Sequence, residues 1–335
     1  MDFILDFVTR FFVQLQSPTL GFLLGGMLIA ALKSKLVIPN AIYQFIVFML
    51  LMKIGLEGGI AIREAELAEM LVPALVSSAT GILIVFVGVL FFSFIPSVKK
   101  EDGIATSGLF GAVSASTLAA GMLVLDEEKI QFEAWAPALY PFMDIPALVL
   151  AIVLANLYFA KKDRLNNVKP NLKKIVRESL QGAALSALIL GLFLGFVTKP
   201  EAILNDFYAP LFKGFLSILM LIMGIEAYAR LNELRKVAHW FALYALVGPI
   251  VHGLIAFGLG YIAHLMVGFS PGGIIILSII ASSNSDISGP PTLRAAISSA
   301  NPSTYLGAST SIGTPVAIAI CIPLFVALGS IVFDF

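Results

Sequence analysis

The residues best suited to chemistry in this sequence form a polar, proline-bounded segment inside an apolar stretch. The segment ASSNSDISGPPTLRAA at 281–296 combines Ser, Asn and Asp side chains with Gly289, Pro290 and Pro291. Two consecutive prolines cannot continue a helix, because each lacks an N–H and clashes with the preceding turn, but they can begin one. We therefore predict two half-helices joined by a non-helical linker whose oxygens and amides could bind ions.

A second, more weakly marked segment has a related pattern. GLFGAVSASTLAAG at 108–121 carries Ser114, Ser116 and Thr117 at its centre, and we predict that it breaks as well. Non-helical backbone at membrane depth is tolerated only where it is buried in protein or lines a cavity. The two interruptions are therefore expected to cross near the middle of the protein and to form one site.

The site is predicted to bind a cation and an anion together. Carbonyls, hydroxyls and a carboxylate suit Na⁺, whereas the N-terminus of a half-helix presents N–H groups and a positive dipole end to an anion. Asp286, a carboxylate at the bilayer centre, is costly and indicates an ion-binding role. Because Pro290 and Pro291 lack donors, Na⁺ is placed toward Asp286 and the anion toward the amides of Ser116, Thr117 and Leu118.

This division assigns two sets of candidate residues. The anion-binding candidates are Ser114, Ala115, Ser116, Thr117, Ser285, Gly289 and Thr292. The sodium-binding candidates are Asn284, Asp286, Ser288, Asp144 and Thr310. No other metal site and no catalytic residue is predicted, and Asp144, just before Pro146, suits capping a break nearly as well as binding an ion.

Other polar residues in apolar segments favour structural interpretations. Membrane Ser and Thr hydroxyls often bond only within their own helix or between helices. Glu57, with Lys53 one turn before it, and Glu226 at the matching place in the second half indicate a structural pair or an interface. His252 could relay protons, but a hydrogen-bonded packing role is favoured. Thr314, in GASTSIGTP at 307–315, is a further lining candidate.

The amino-acid composition predicts that these segments lie in a membrane and not in water. Hydrophobic residues make up 59% of the 335 residues and charged residues 13%, and mean hydropathy is +0.97; soluble domains average about 45–50% apolar and 25% charged. A soluble fold cannot hide so much apolar surface, so the chain is a polytopic membrane protein. Equal numbers of basic and acidic residues, 21 each, give no indication of nucleic-acid binding.

The cysteine count and the N-terminal residues lead to two further expectations. The single cysteine, Cys321, excludes an intramolecular disulfide framework and a cysteine-rich metal site. The N-terminal segment carries Asp2 and Asp6 in place of a basic region, so we expect mature sequence and no signal peptide.

Ten segments are long and apolar enough to cross a bilayer, which takes about 20 residues each. They lie at 11–32, 39–60, 69–94, 102–125, 134–160, 177–198, 204–230, 238–266, 271–299 and 303–333. Fifteen of the 21 basic residues fall on one side of this arrangement, including the group in the central connection 161–174. The central connection is therefore predicted to be cytoplasmic and both termini to lie outside.

The two halves of the chain resemble each other. LQSPTLGFLLGGMLIAAL at 15–32 matches LQGAALSALILGLFLGFV at 180–197, and KIGLEGG at 53–59 matches IMGIEAY at 222–228. Five such matches occur in the same order at nearly constant offset. Because each half holds five spans, 1–165 and 166–335 form an inverted repeat, an arrangement typical of transporters. The predicted fold is thus all-α, with ten transmembrane helices as two inverted five-helix repeats and broken, crossing helices four and nine.

These motifs resemble the SbtA family of sodium-dependent bicarbonate transporters. The resemblance lies in FIVFMLLMKIGLEGGIAIR, GLFGAVSAST, EAWAPALYPFMDIPALV, SSNSDISGPPTLRAAISSANPS and GASTSIGTPVAIAI, and it covers nearly the whole chain. The central connection is shorter than in some members, so regulation that depends on its length is not carried over.

What the resemblance implies is Na⁺-coupled uptake of HCO₃⁻ across the plasma membrane, feeding a carbon-concentrating mechanism, with no cofactor besides the coupling ion. It further implies a homotrimer, a gate domain of spans 1, 2, 6 and 7, and a moving core domain of spans 3–5 and 8–10. A PII-like regulator that senses adenine nucleotides is implied on the cytoplasmic side.

Three alternatives remain. The same broken-helix plan could carry another small anion, since Gly, Ala and Ser linings favour a compact one. An intramembrane hydrolase would use a serine near Asp286 with His252, which requires the two within hydrogen-bond reach. A channel is less compatible with an inverted repeat. Sodium-dependent uptake of labelled bicarbonate into liposomes would separate them.

Overall fold

The computed structural model describes residues 18–64, 67–162, 177, 181, 183–234, 239–285 and 289–334. Within these ranges the regular structure is helical and contains no strand, so the all-α prediction is confirmed there. Several predicted features lie outside the described residues: 11–17 of the first span, most of the central connection, Asp286 and Ser288.

The helices of the two halves follow one another in a similar order. Those of the first half are α1 (Pro18–Ala31), α2 (Asn40–Glu64), α3 (Leu67–Ser93), α4 (Lys100–Gly111), α5 (Ala115–Glu127) and α6 (Tyr140–Lys162). Those of the second half are α7 (Ala183–Val197), α8 (Ala209–Leu234), α9 (His239–Val267), α10 (Pro271–Ser282), α11 (Gly289–Ala296), α12 (Pro302–Ala308) and α13 (Ile322–Phe333). Short π-helical turns precede α8 and connect α12 to α13.

Seven helical stretches in the described part of the chain are long and apolar enough to cross a membrane. They coincide with the predicted spans two, three, four, five, seven, eight and ten. The other three predicted spans correspond to shorter apolar helices, Gly21–Ala31, Ser186–Val197 and Pro271–Ser282. The chain is therefore a multi-pass membrane protein, and the count of ten stays a prediction.

The predicted fourth span is interrupted where its polar residues lie. The backbone leaves the helix after Gly111 and re-enters it at Ala115. Ser114 is the N-cap of α5: its backbone is extended (φ −97°, ψ 125°) and its hydroxyl accepts from the Thr117 amide at 3.2 Å. A serine whose side chain satisfies an amide of the first turn is a typical start of a helix.

The predicted ninth span is interrupted as well. α10 ends at Ser282 and α11 begins at Gly289, followed at once by Pro290 and Pro291. Proline is tolerated in the first turn, where its missing N–H would have no helical partner. The second half-helix ends at Ala296, three residues before the predicted boundary of 299.

Both interrupted helices are shielded from lipid. α5 is buried inside the protein as far as Leu125, as are α4 and α10 after their first residues. α3 and α9 lie outside them and expose large apolar side chains, including Leu71, Leu75, Leu254 and Leu265. A hydrocarbon solvent cannot satisfy free backbone groups, so this placement is what allows helices to break at membrane depth.

Helices of the two halves pack closely through glycine. α1 packs against α8, and α2 against α7. A Cβ added to Gly26 would lie 3.1 Å from Gly224 Cα, and one added to Gly55 would lie 2.8 Å from Gly191 Cα. Small residues that let two backbones approach are characteristic of helix contacts in membranes.

Replacing Gly26 with alanine should therefore destabilise the protein. The new methyl group would contact the Leu221 carbonyl group and Gly224 across the α1–α8 contact. Overpacking of this kind costs about 1–3 kcal/mol. A fall of several degrees in the midpoint of thermal unfolding in detergent is expected for Gly26→Ala.

Gly25→Ala is the matched control, because a Cβ at the neighbouring Gly25 meets no atom within 4 Å. This variant should unfold at the wild-type temperature or slightly above it. Equal midpoints for the two variants would contradict the close α1–α8 contact.

Candidate ion-binding site

The two interruptions lie against each other. The Ser114 amide donates to Ser283 Oγ at 2.9 Å, and the Ser285 amide donates to the Leu109 carbonyl at 2.9 Å. The second interruption thus supplies an acceptor for an amide of the first, and the last turn of α4 supplies an acceptor for an amide of the second. The predicted proximity of the two segments is confirmed by these bonds.

The first interruption is organised by Ser114. Its hydroxyl lies 2.8 Å from Ser116 Oγ and accepts from the Thr117 amide, while its carbonyl accepts from the Leu118 amide at 3.1 Å. The amides of Thr117 and Leu118, which the sequence offered to an anion, are therefore already engaged within the first turn. Ala115 and Ser116 lie in the same first turn, at the end of α5 where the helix dipole favours negative charge.

Asp144 lies beside the first interruption. It is fully buried on α6, and its Oδ1 accepts from the Val113 amide at 3.0 Å. The carboxylate therefore caps the break, one of the two roles expected for it. A carboxylate is also a hard oxygen ligand of the kind that cations prefer.

Ser285 and Gly289 join the second interruption to α11. Ser285 Oγ accepts from the Gly289 amide at 2.8 Å. A Cβ on Gly289 would lie 2.7 Å from Leu109 Cδ1 and 2.8 Å from Ser285 Cβ, so glycine is required for α11 to begin this close to α4. Both residues were candidates for the anion, and the structure gives each a structural contact as well.

The predicted tenth span reaches the second interruption through Thr314. Its hydroxyl donates to Asn284 Oδ1 at 3.0 Å. A Cβ on Gly313 would lie 2.7 Å from Asn284 Nδ2, so this glycine makes the approach possible. Thr310 is half-buried in the π-helical turn Ser309–Gly313 that precedes Thr314, and such turns are frequent at functional sites.

Two buried polar atoms in the interruptions have no hydrogen-bond partner among the described residues. They are Thr117 Oγ1 and Asn284 Nδ2, on side chains that are at most 1% exposed. Ser311 Oγ, in the same π-helical turn as Thr310, shares this property. Because buried polar groups are nearly always paired, the arrangement suits a polar ligand.

Some contributors had little or no signal in the sequence. The Leu109 carbonyl and the Val113 amide are backbone atoms, whose roles depend only on where the chain is placed. Ser283 and Ser311 lie within the polar segments at 281–296 and 307–315, but the predicted ion-binding residues of those segments are their neighbours. Thr292, a predicted lining residue, is buried near the start of α11.

The other titratable candidates lie apart from a catalytic arrangement. His252 Nε2 lies 3.1 Å from the Tyr244 hydroxyl, which agrees with the packing role favoured for it. Among the described residues no serine bonds to His252, and no group of three or more His, Cys, Asp or Glu side chains could hold a metal ion.

Comparison with known proteins identifies the family. No curated protein matches the chain significantly. A family described as the Na⁺-dependent bicarbonate transporter superfamily matches residues 18–330. The matched range includes both interruptions, Asp144 and the Thr310–Thr314 turn. The members of this family are transporters and not enzymes, which removes the hydrolase alternative. The chain therefore belongs to the Na⁺-dependent bicarbonate transporter superfamily.

Proposed function

We propose that this protein imports HCO₃⁻ together with Na⁺ and binds both between the two helix interruptions. One observation carries the placement: the interruptions bond to each other in the buried interior and leave Thr117 Oγ1 and Asn284 Nδ2 without partners in the described chain. Membership of the family supports the substrate and the coupling ion.

The anion binds at the N-terminal end of α5 and beside the start of α11. Helix N-termini attract anions through their amides and dipole. The hydroxyls of Ser114, Ser116 and Thr117 add donors, and small residues such as Ala115 and Gly289 keep the space compact. Ser285 and Thr292 complete the proposed set.

Na⁺ binds on the side of the carboxylates. Asp286 and Asp144 supply negative charge, and Ser288, Thr310 and Asn284 supply neutral oxygens. Hard oxygen ligands of this kind suit alkali and alkaline-earth cations. Asn284 Oδ1, which accepts from Thr314, has a second lone pair for Na⁺, and its Nδ2, a donor, suits the neighbouring anion.

Coupling follows from charge. One Na⁺ with one HCO₃⁻ is a neutral cargo, so the membrane potential does no net work on it. A tenfold Na⁺ gradient then supplies about 1.4 kcal/mol, enough for about tenfold accumulation. A larger accumulation requires a second Na⁺.

Alternating access by two inverted repeats completes the proposal. An exchange of the halves turns the contact of α1 with α8 into the contact of α7 with α2. In both contacts, glycines let the two backbones approach closely. The Ser270 amide donates to Glu133 and the Asn301 amide to Asp102, at 2.7 Å in both cases. Shifting Asp102 and Glu133 by 168 residues gives Ser270 and Asn301, so these two contacts are equivalent under an exchange of the halves.

In this mechanism spans 3–5 and 8–10 form a core that moves like an elevator against a gate of spans 1, 2, 6 and 7. The family resemblance supports a homotrimer in the plasma membrane and a PII-like regulator on the cytoplasmic side. The distribution of basic residues supports termini outside.

Purified protein in liposomes should accumulate labelled bicarbonate only with an inward Na⁺ gradient. Asp286→Asn should abolish most of the Na⁺ dependence, because it removes a charge proposed to bind the ion. Asp206→Asn, which changes an exposed residue far from the interruptions in sequence, should transport like the wild type. Sodium-independent uptake by the wild type, or stronger uptake of a different small oxyanion, would contradict the proposal.

Ser283→Ala should lower transport about tenfold. The change removes the acceptor of the Ser114 amide, and a buried donor left unpaired costs about 1–3 kcal/mol. Ser278→Ala is the control, because Ser278 Oγ bonds only to the Ile274 carbonyl of its own helix among the described residues. If initial uptake rates fall equally in both variants, the contact between the interruptions does not form the site.

A further inference from the structure

A cavity of about 430 Å³ is separate from the proposed ion site, and no described residue of either interruption lines it. Its walls come from α2 and α8 on one side and from α5 with the following connection on the other. Met122 and Leu123 are buried at its floor, whereas Asp126, Lys129 and Gln131 are exposed at its mouth. The cavity therefore lies where the proposed gate and the proposed core meet.

Lys53 places a cation inside this cavity at membrane depth. It lies ten residues from Arg63 along α2, which is about 15 Å at 1.5 Å per residue, and its side chain is 13% exposed. Its ammonium group contacts Glu57 Oε2 at 2.5 Å and the Phe212 ring, whose centroid is 4.8 Å away. An ionisable residue within a membrane span is costly and indicates function.

The ammonium group has donors to spare. Lysine carries three N–H groups, and in the described chain Glu57 is its one hydrogen-bond acceptor. The charged side chains that line the cavity are Lys53, Lys129, Glu57 and Asp126, so the cavity is neutral as a whole. A neutral cavity with one inward ammonium can hold a monovalent anion without trapping it.

α5 lines the cavity with its C-terminal half and carries the proposed anion site at its N-terminal end. Met122 lies five residues after Thr117 on that helix, about 7.5 Å along its axis. The Lys213–Glu127 ion pair, at 3.6 Å, links α8 to α5. The mouth lies at the end of the bundle where α6 begins, opposite the central connection that follows α6, and the basic-residue distribution predicts that this side faces outward.

We propose that this cavity is an entry site that captures a small monovalent oxyanion on Lys53 before it passes along α5. The proposal rests on the proposed function and adds to it a second, outer binding position. Glu57 competes with the anion for the ammonium group, which keeps the entry site weak. Lys53 thereby raises the local concentration of the transported anion at the outer mouth.

Opposite effects of two substitutions test this role. Lys53→Met should raise the external bicarbonate concentration that gives half-maximal uptake about tenfold, with little change in maximal rate, because the attracting charge is lost. Glu57→Gln should lower that concentration, because the ammonium group is released. Lys199→Met, an exposed lysine outside the cavity, should behave like the wild type. If both lining variants impair uptake in the same direction, Lys53 and Glu57 form only a structural pair.

Restoring the charge chemically guards against misfolding of a variant. Cys321 is the single cysteine and is buried, so Lys53→Cys introduces one accessible thiol. A membrane-impermeant ammonium thiosulfonate applied from outside should return half-saturation of the same preparation to near the wild-type value. A neutral methyl thiosulfonate should not, and bicarbonate should slow the labelling.

The result overturns the proposal if the ammonium and neutral reagents act alike, if bicarbonate leaves the labelling rate unchanged, or if the thiol reacts only from the cytoplasmic side. Uptake by the wild-type protein distinguishes failure of the proposed transport function from failure of the entry site. Without Na⁺-dependent bicarbonate uptake by the wild type, the proposed function fails; with it, an unaltered Lys53→Met variant refutes the entry site alone.

Discussion

An interrupted helix at membrane depth must find partners for its free backbone groups, and this constraint shapes the rest of the molecule. The two interruptions meet it largely with each other, through the bonds of Ser114 to Ser283 and of Ser285 to Leu109. Asp144 satisfies a third amide. The surrounding helices then exclude lipid, and α3 and α9 present apolar side chains outward. An ion site made of backbone and hydroxyl groups can exist here only because of that enclosure.

The contacts between the halves combine tight and polar connections. Glycines in α1, α2, α7 and α8 let the backbones of paired helices approach closely. The interrupted helices are tied differently, since Glu133 holds the start of α10 through Ser270 and Asp102 holds the segment before α12 through Asn301. Glycine contacts at α1–α8 and α2–α7 and carboxylate–amide bonds at the interrupted helices are the contacts between halves that the proposed gate and core would use.

Charge is arranged along a route in the proposed mechanism. Lys53 lies in the outer cavity, Thr117 in the first turn of α5 follows about 7.5 Å along the helix axis from Met122, and Asp144 lies next to the break that precedes α5. An anion would thus meet a full positive charge first and helix dipole and hydroxyl donors afterwards. The family match supplies the identity of the cargo, whereas these positions explain how such a cargo could be recognised without an arginine among the residues proposed to bind it.

The sequence alone determined the membrane class, the positions of both interruptions and the family resemblance, because hydropathy, proline pairs and long motifs are local properties. It also indicated Asp144 and the polar segment around Asn284. Only the tertiary structure decided which groups are already engaged: the amides of Thr117 and Leu118 are used by Ser114, and Asn284 Oδ1 by Thr314. It likewise revealed the cavity around Lys53 and the role of the Leu109 carbonyl. These contacts depend on which segments come together in space. Because every residue type has the same backbone carbonyl, and every type but proline the same amide, the sequence does not indicate which of these groups will form them.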